Sequence, residues 1–271
     1  MSLWAVIVEL GLGRHLEAAL LGLPRLAVFL AFSPFLGGST LLTGQMKSAV
    51  LLALYIFIHP LVLSRLPAGD LTDRNLWALA GLALKEGVLG FILAYVSGFV
   101  FWAVQSAGFL MDNQRGAGSA TASDPLTGEE TSLLGAFFSQ FLVYLFFAGG
   151  AALSLLTLFF ETYLFWPAPV WLPDWREPAL PLFAAGLTAW LATLMCLLAG
   201  PVILASLLVD AALGLVNRFA SQLNVYILAM PIKSGLAMLI ALLLLSRFAG
   251  LAPALFAKLT GDVLALRQIW P

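Results

Sequence analysis

The chain has few charged residues for its length. Only 10% of its 271 residues are Asp, Glu, Lys or Arg, whereas 62% are hydrophobic. Soluble domains carry about 25% charged residues, so this composition excludes a water-soluble globule. It indicates a membrane protein, or one whose surface is largely covered by other apolar subunits. The formal net charge of -1 provides no basic field, which excludes nucleic-acid binding.

Side chains suited to catalysis or metal binding are also scarce. Cys196 is the only cysteine, so one chain has neither an internal disulfide nor a thiolate metal site. The two histidines, His15 and His59, lie far apart in the sequence and have no neighbours at ligand spacing. No carboxylate pair or nucleophile–base spacing stands out. We therefore expect no catalytic residue, no metal site and no cofactor, and we expect the protein not to be an enzyme.

Long uncharged apolar runs predict helices. A spanning helix needs about 20 apolar residues, and the runs lack the polar–apolar alternation of barrel strands. Two runs are long enough to contain a bend or a short re-entry. The sequence therefore predicts an all-α, hydrophobic, membrane-associated fold. The runs are Leu26–Met46, Ser48–Ser64, Gly87–Met111, Leu133–Phe160, Ala179–Val209 and Ser234–Ser246.

Prolines interrupt these runs. A proline removes one hydrogen bond of the helix and kinks or breaks it, although membrane helices tolerate single prolines. Because several have glycines nearby, they favour broken helices packed against protein rather than lipid. The predicted breaks are at Pro34, Pro60, Pro201 and Pro231. The Pro- and Trp-rich segment Glu161–Pro178 is predicted to be an interfacial loop and the main internal boundary.

Several charges lie inside apolar sequence. A charge at the centre of a bilayer costs on the order of 3 kcal/mol, so such residues usually face protein or water. We predict buried pairs, between helices or between subunits, for Lys85, Glu86, Asp210 and Lys233. Arg218 and Lys47 fit either that role or a position at a helix end. The basic residues of the loops give no clean orientation across a bilayer by the positive-inside rule.

A polar loop, MDNQRGAGSATASDPLTGEE, separates two apolar runs at Met111–Glu130. It lacks the lysine of a phosphate-binding loop and the frame of a nucleophile elbow. Composition alone predicts a connector that faces solvent.

One block resembles a known family. It reads GPVILASLLVDAALGLVNRFASQLNVYILAMPIKSGLAML, from Gly200 to Leu239. Together with AGFLMDNQRG, DPLTGEETSLLGAFFSQ and FFETYLFWP, it resembles the T subunit of the type III secretion export apparatus, the SctT family. The flagellar counterpart in that family is FliR, and NQRG…DPLTGEET favours the injectisome branch.

The resemblance implies a subunit of an export gate in the bacterial inner membrane. The T subunit would join R and S subunits in a helical assembly around the secretion pore, near the U and V subunits. Unfolded polypeptides would pass through it, and much of the assembly would be raised towards the periplasm, with the rest in contact with membrane lipid. Residues 1–172 would form an R-like part containing polar loop 112–130, and residues 173–271 an S-like helical hairpin.

The resemblance also implies that the polar loop helps to close the resting pore. The plug residues carried over are Asp112, Asn113, Gln114, Arg115, Gly116, Gly118, Ser119 and Asp124. Arg115 is expected to be anchored by Asp112 or Asp124. Either Asp124–Pro125 or the capping box Thr127–Glu130 is expected to cap the next helix. The alternative function is a secondary transporter with broken helices, in which Glu86, Asp210 and Lys233 would couple ion and solute movement.

Overall fold

In a computed structural model, residues 12–36, 44–67, 75–117, 121–123, 130–171, 179–219 and 225–269 can be described. These residues form seven helices and one short hairpin, which confirms the all-α fold class. The elements are α1 (Leu12–Phe32), α2 (Gly44–Arg65), α3 (Leu76–Gln114), β1 (Thr121–Ser123), β2 (Glu130–Ser132), α4 (Leu133–Ala148), α5 (Ala151–Phe165), α6 (Ala179–Phe219) and α7 (Val225–Ile269). The hairpin pairs β1 with β2 antiparallel, with Thr121 opposite Ser132 and Ser123 opposite Glu130.

Within the described part of the chain, five helices are long and apolar enough to cross a membrane: α1, α2, α3, α6 and α7. Helices α4 and α5 together form a sixth candidate, a span that is broken between them. Helices α3, α6 and α7 contain 39, 41 and 45 residues. At 1.5 Å per residue each is roughly 60 Å long or more, about twice the thickness of the hydrocarbon layer.

Three of the four predicted helix breaks do not occur. Pro60, Pro201 and Pro231 lie inside α2, α6 and α7, which continue through them. A proline removes only one backbone hydrogen bond, and the apolar residues on both sides keep the helix intact around it. Pro34 differs because α1 ends at Phe32 and Pro34 lies in the turn that follows.

Glycines, rather than prolines, divide the run Leu133–Phe160. Helix α4 ends with Gly149 as its C-cap, and Gly150 has a φ of +75°, a left-handed conformation that side chains disfavour. The amide of Gly149 donates to the Leu145 carbonyl at 2.8 Å, which satisfies the end of the helix. One of the two long runs thus contains the predicted bend, whereas Ala179–Val209 lies within the continuous helix α6.

The chain forms two compact units, each built from separate stretches of sequence. Unit 1 contains Met1–Gly98, Ala152–Leu180 and Thr260–Pro271, and unit 2 contains Phe99–Ala151 and Pro181–Leu259. The predicted division into an R-like and an S-like part concerns resemblance to other subunits rather than compactness, and it stays a prediction.

Aromatic side chains contribute to the interior of each unit. In unit 1, Phe29 of α1 packs on Phe159 of α5 with ring centroids 4.4 Å apart. In unit 2, Phe146 of α4 contacts both Phe101 of α3 and Phe256 of α7, each with centroids 5.4 Å apart. The long helices differ in burial. Of an 18-residue apolar stretch in each helix, 67% is buried in α3, but only 17% is buried in α6 and in α7. Most of the apolar surface of α6 and α7 therefore has no cover within the described chain.

Candidate functional site

Helix α3 ends in a Schellman motif at the beginning of the polar loop. The amide of Ala117 donates to the Asp112 carbonyl at 3.0 Å, and the amide of Gly116 donates to the Asn113 carbonyl at 3.2 Å. Gly116 has a φ of +82°, as this motif requires at the residue after the cap. Asp112, Asn113 and Gln114 are thus the last turn of α3 rather than part of the loop. The polar loop begins at Arg115.

The Asp112 side chain joins the two ends of the polar loop. One carboxylate oxygen accepts a hydrogen bond of 2.6 Å from Arg115 Nε, and the other accepts one of 2.8 Å from the Leu134 amide in the first turn of α4. Asp112 is 1% exposed and Arg115 is 8% exposed. A buried carboxylate at a helix N-terminus is stabilised by the free amides and by the helix dipole. Of the two anchors predicted for Arg115, Asp112 is confirmed, whereas Asp124 lies outside the described residues.

Ser132 caps helix α4. Its hydroxyl oxygen accepts a hydrogen bond from the Gly135 amide at 3.0 Å, and its backbone is extended. The predicted caps at Asp124–Pro125 and Thr127–Glu130 are therefore wrong, because the chain continues as strand β2 and the helix begins only at Leu133. A serine one residue before the apolar run LLGAFF is a typical cap signal, and it lies closer to that run than either predicted cap.

A close backbone approach completes this arrangement. A Cβ atom at Gly108 would lie 2.5 Å from the Gly135 amide nitrogen, so the glycine lets α3 and α4 touch. We call Gly108, Asp112, Arg115, Ser132, Leu134 and Gly135 the loop base. The β1–β2 pairing then extends the loop from this base.

The remaining plug residues have different positions. Gly116 faces Met230 of α7, where an added Cβ would lie 3.5 Å from Met230 Cγ. Asn113 is exposed and Gln114 is half-buried. Gly118, Ser119 and Asp124 lie outside the described residues.

Unit 1 contains a second arrangement, a cluster of buried charges. Arg25 of α1 and Glu86 of α3 form a bidentate pair, with Nε to Oε2 at 2.7 Å and Nη2 to Oε1 at 2.9 Å. Both side chains are fully buried. Arg25 also donates to the hydroxyl oxygen of Thr162 at 3.1 Å and to the Trp166 carbonyl at 2.7 Å. Its guanidinium lies 4.1 Å from the centre of the Tyr163 ring.

Lys85 adds a second cation to Glu86 and reaches the chain beyond α5. It forms an ion pair with Glu86 and donates to the carbonyls of Ala168 at 3.0 Å and Val170 at 2.9 Å. The charge cluster, which we define as Arg25, Lys85 and Glu86, therefore holds the segment after α5 against α1 and α3. Such a bidentate, hydrogen-bonded pair is the geometry in which a buried ion pair is tolerated.

Asp210 and Lys233 pair with each other across α6 and α7. Lys233 Nζ lies 2.5 Å from one Asp210 oxygen and 2.6 Å from the other. The Asp210 side chain is 48% exposed, so the pair is not buried within this chain, and its predicted burial between subunits stays a prediction. Arg218 is exposed in the last turn of α6, and Lys47 lies in the first turn of α2, so both are at helix ends.

Sequence reasoning missed Arg25 and the histidine pair. Arg25 immediately precedes the run Leu26–Met46, and treating LGLPRLAVF as one helical face would have placed it inside a helix. His15 Nδ1 and His59 Nε2 lie 2.9 Å apart although the residues are 44 positions apart in the sequence, and the Tyr55 hydroxyl is 2.7 Å from His59 Nδ1. No group of three or more His, Cys, Asp or Glu side chains suited to a metal occurs among the described residues.

Comparisons with known proteins identify the relatives of this chain. The signature of the family described as bacterial export proteins, family 1, matches residues 16–259. The Yop proteins translocation protein T of Yersinia pestis is 35% identical over 84% of this chain and 85% of its own length. The surface presentation of antigens protein SpaR of Salmonella typhimurium is 31% identical over 86% and 85%. The flagellar biosynthetic protein FliR of Escherichia coli is 31% identical over 72% and 74%.

Proposed function

The chain belongs to family 1 of the bacterial export proteins, and on that premise we propose that it is a structural and gating subunit of a type III secretion export gate. In this role it joins R and S subunits around the pore, near the U and V subunits, in the bacterial inner membrane. Unfolded polypeptides pass through the assembly, and the chain itself performs no chemistry. The injectisome branch is favoured because relatives named for Yop translocation and surface presentation match over most of the chain.

The observation that carries this proposal is the length of the apolar helices. Helices α6 and α7 are roughly 60 Å long or more, yet a bilayer covers only about 30 Å of hydrocarbon surface. Of an 18-residue apolar stretch in each of these two helices, only 17% is buried within the chain. Apolar surface beyond the bilayer needs protein cover, because exposed patches of this size drive association. Sister subunits in an assembly raised towards the periplasm would provide it.

The loop base supports a plug role for the polar loop. Asp112, Ser132 and the Gly108–Gly135 contact fix the two points at which the loop leaves and rejoins the helices. Between those points the sequence consists mostly of small or polar residues, which bury little apolar area and adhere weakly to a pore wall. A firm base with a weakly adhesive tip suits a closure that a passing polypeptide must displace.

The paired charges weaken the transporter alternative. Arg25, Glu86 and Lys85 satisfy one another and fixed backbone carbonyls within unit 1, and Asp210 pairs with Lys233. Coupling residues need to exchange partners during transport. A charge cluster that holds three chain segments together fits a structural role better.

Extraction from membranes tests the assembly. A tagged full chain should be recovered in a stable complex with its R and S partners, and removal of those partners should cause it to aggregate. Recovery of the chain as a monodisperse, thermally stable protein that binds a solute on its own would support the transporter instead.

Replacement of residues 118–129 by a short Gly-Ser linker tests the plug. This change leaves Asp112, Arg115 and Ser132 in place, so the complex should assemble and the resting membrane should conduct ions. A scrambled loop of the same length is the control, and it should conduct much less. Unchanged conductance in a correctly assembled linker variant would contradict the plug role while leaving the family assignment intact.

A further inference from the structure

Unit 2 contains an apolar cavity between four helices. Its volume is about 230 Å³, and ten of its eleven lining residues are apolar. Helix α3 contributes Met111 and α4 contributes Phe138, while Leu194 and Leu197 come from α6 and Phe248 from α7. The cavity opens to the outside past Leu197, which is 69% exposed.

The size of the cavity limits its occupant. An apolar cavity of about 150 Å³ already admits benzene, so this larger one accepts a stretch of a single alkyl chain. Water binds poorly in this cavity, because a buried water molecule needs two to four polar partners and the lining is almost wholly apolar.

A positive charge beside the cavity indicates which chemical group the occupant carries next to its alkyl chain. Arg247 of α7 is the one charged residue in the lining. Its side chain is exposed, and it forms no ion pair with any residue in the described part of the chain. Arginine binds phosphate oxygens through its planar guanidinium, and a cation beside apolar surface selects an anionic amphiphile.

We propose that this cavity binds one acyl chain of an anionic phospholipid, with the headgroup phosphate on Arg247. The binding site lies within unit 2 and does not rest on the export role. Lipid binding also affects the loop base. Met111 of the cavity lining directly precedes Asp112, and Phe138 of the lining lies one turn after Leu134. The bound acyl chain fills the space behind the loop base and stabilises the contact between α3 and α4.

Lipid titration tests the proposal on the full chain, delipidated in detergent together with the subunits that co-purify with it. Native mass spectrometry should detect dioleoyl phosphatidylglycerol bound in preference to dioleoyl phosphatidylcholine. Arg247→Gln should lower the affinity for phosphatidylglycerol about fivefold, since one basic residue near anionic lipid contributes about 1 kcal/mol. Phosphatidylcholine binding should stay unchanged. Arg65→Gln, an exposed arginine at the end of α2 and outside the cavity, is the matched control.

A second variant tests the cavity itself. Leu197→Trp adds bulk at its exposed opening and should reduce the binding of both lipids. Inorganic phosphate alone should not compete, because the acyl chain supplies most of the buried surface. Equal binding of both lipids in wild type and Arg247→Gln would overturn the headgroup assignment. Undiminished binding in Leu197→Trp, or full competition by phosphate, would overturn the assignment of the acyl chain.

Discussion

The Asp112 carboxylate accepts a hydrogen bond of 2.8 Å from the amide of Leu134, 22 positions further along the chain. The same carboxylate accepts a 2.6 Å hydrogen bond from Arg115 Nε. Because Asp112 is only 1% exposed, water does not readily replace either partner. One side chain therefore fixes the separation between the end of α3 and the beginning of α4.

Removing that carboxylate should loosen the loop base. We expect Asp112→Ala to lower the free energy of unfolding by about 3 kcal/mol, because it removes the carboxylate that pairs with the buried Arg115 guanidinium and caps the Leu134 amide. Chemical unfolding in detergent measures the loss, and limited proteolysis within residues 118–129 should become faster. The exposed neighbour Asn113 provides the control, and Asn113→Ala should change stability by less than about 0.5 kcal/mol. Equal losses in both variants would refute the role of Asp112.

A methyl group at the contact between α3 and α4 should separate the helices. In Gly108→Ala the new Cβ would meet the Gly135 amide nitrogen at 2.5 Å, so backbone must shift. We expect a loss of about 1 to 3 kcal/mol, as for other overpacked sites. Gly186→Ala in α6 meets nothing within 4 Å and should be neutral or stabilising by up to about 1 kcal/mol. Melting temperatures of the two variants provide the comparison, and a tolerated Gly108→Ala would argue against a fixed loop base.

Breaking the charge cluster should destabilise unit 1 more than removing it. We expect Glu86→Ala to cost about 3 to 5 kcal/mol, since Arg25 and Lys85 would remain buried with no carboxylate. Combining Arg25→Met with Glu86→Leu should recover part of that loss, because one buried cation, Lys85, then lacks a carboxylate instead of two. Urea unfolding of the three proteins measures the difference.

Arg14→Gln is the control for these variants, since Arg14 is an exposed cation in the same helix as Arg25. It should leave the unfolding midpoint unchanged. A double variant less stable than Glu86→Ala alone would indicate that the cluster contributes more than charge compensation.

The pair between Asp210 and Lys233 should matter to assembly rather than to folding. Because Asp210 is half-exposed, Asp210→Ala and Lys233→Ala should each change stability by no more than about 1 kcal/mol. If sister subunits cover this surface, each variant should lower recovery of the complex, and the exchange Asp210→Lys with Lys233→Asp should restore it. Pull-down of the partner subunits measures recovery. Wild-type recovery in both single variants would place the pair outside any subunit interface.

Length and apolarity predicted the central parts of α3 and α6, whereas the run Leu26–Met46 crosses the end of α1 and the beginning of α2. The run Gly87–Met111 lies within α3, and Ala179–Val209 lies within α6. The ends were less predictable, since α3 includes Lys85 and Asp112, whose charges are satisfied by distant partners. Apolar runs therefore underestimate a helix whenever a charged residue near its end is paired inside the protein.

The wrong predictions and the missed features have separate physical causes. Pro201 and Pro231 were expected to break helices, but a missing hydrogen bond costs less than interrupting a long apolar helix. The real break, at Gly149–Gly150, needed a left-handed residue, which only the Gly-Gly pair in AGGA could have suggested. The Arg25–Glu86 pair spans 61 residues, and no local pattern predicts a contact over that distance.

The distance along the chain between Arg25 and Glu86 also constrains how the protein is made. Helix α1 leaves the ribosome with an arginine near its middle, and its carboxylate partner is synthesised 61 residues later. Placing a lone arginine at the centre of a bilayer costs about 3 kcal/mol on insertion scales. We therefore expect α1 to wait at the translocon until α3 emerges, so that α1, α2 and α3 enter the membrane together.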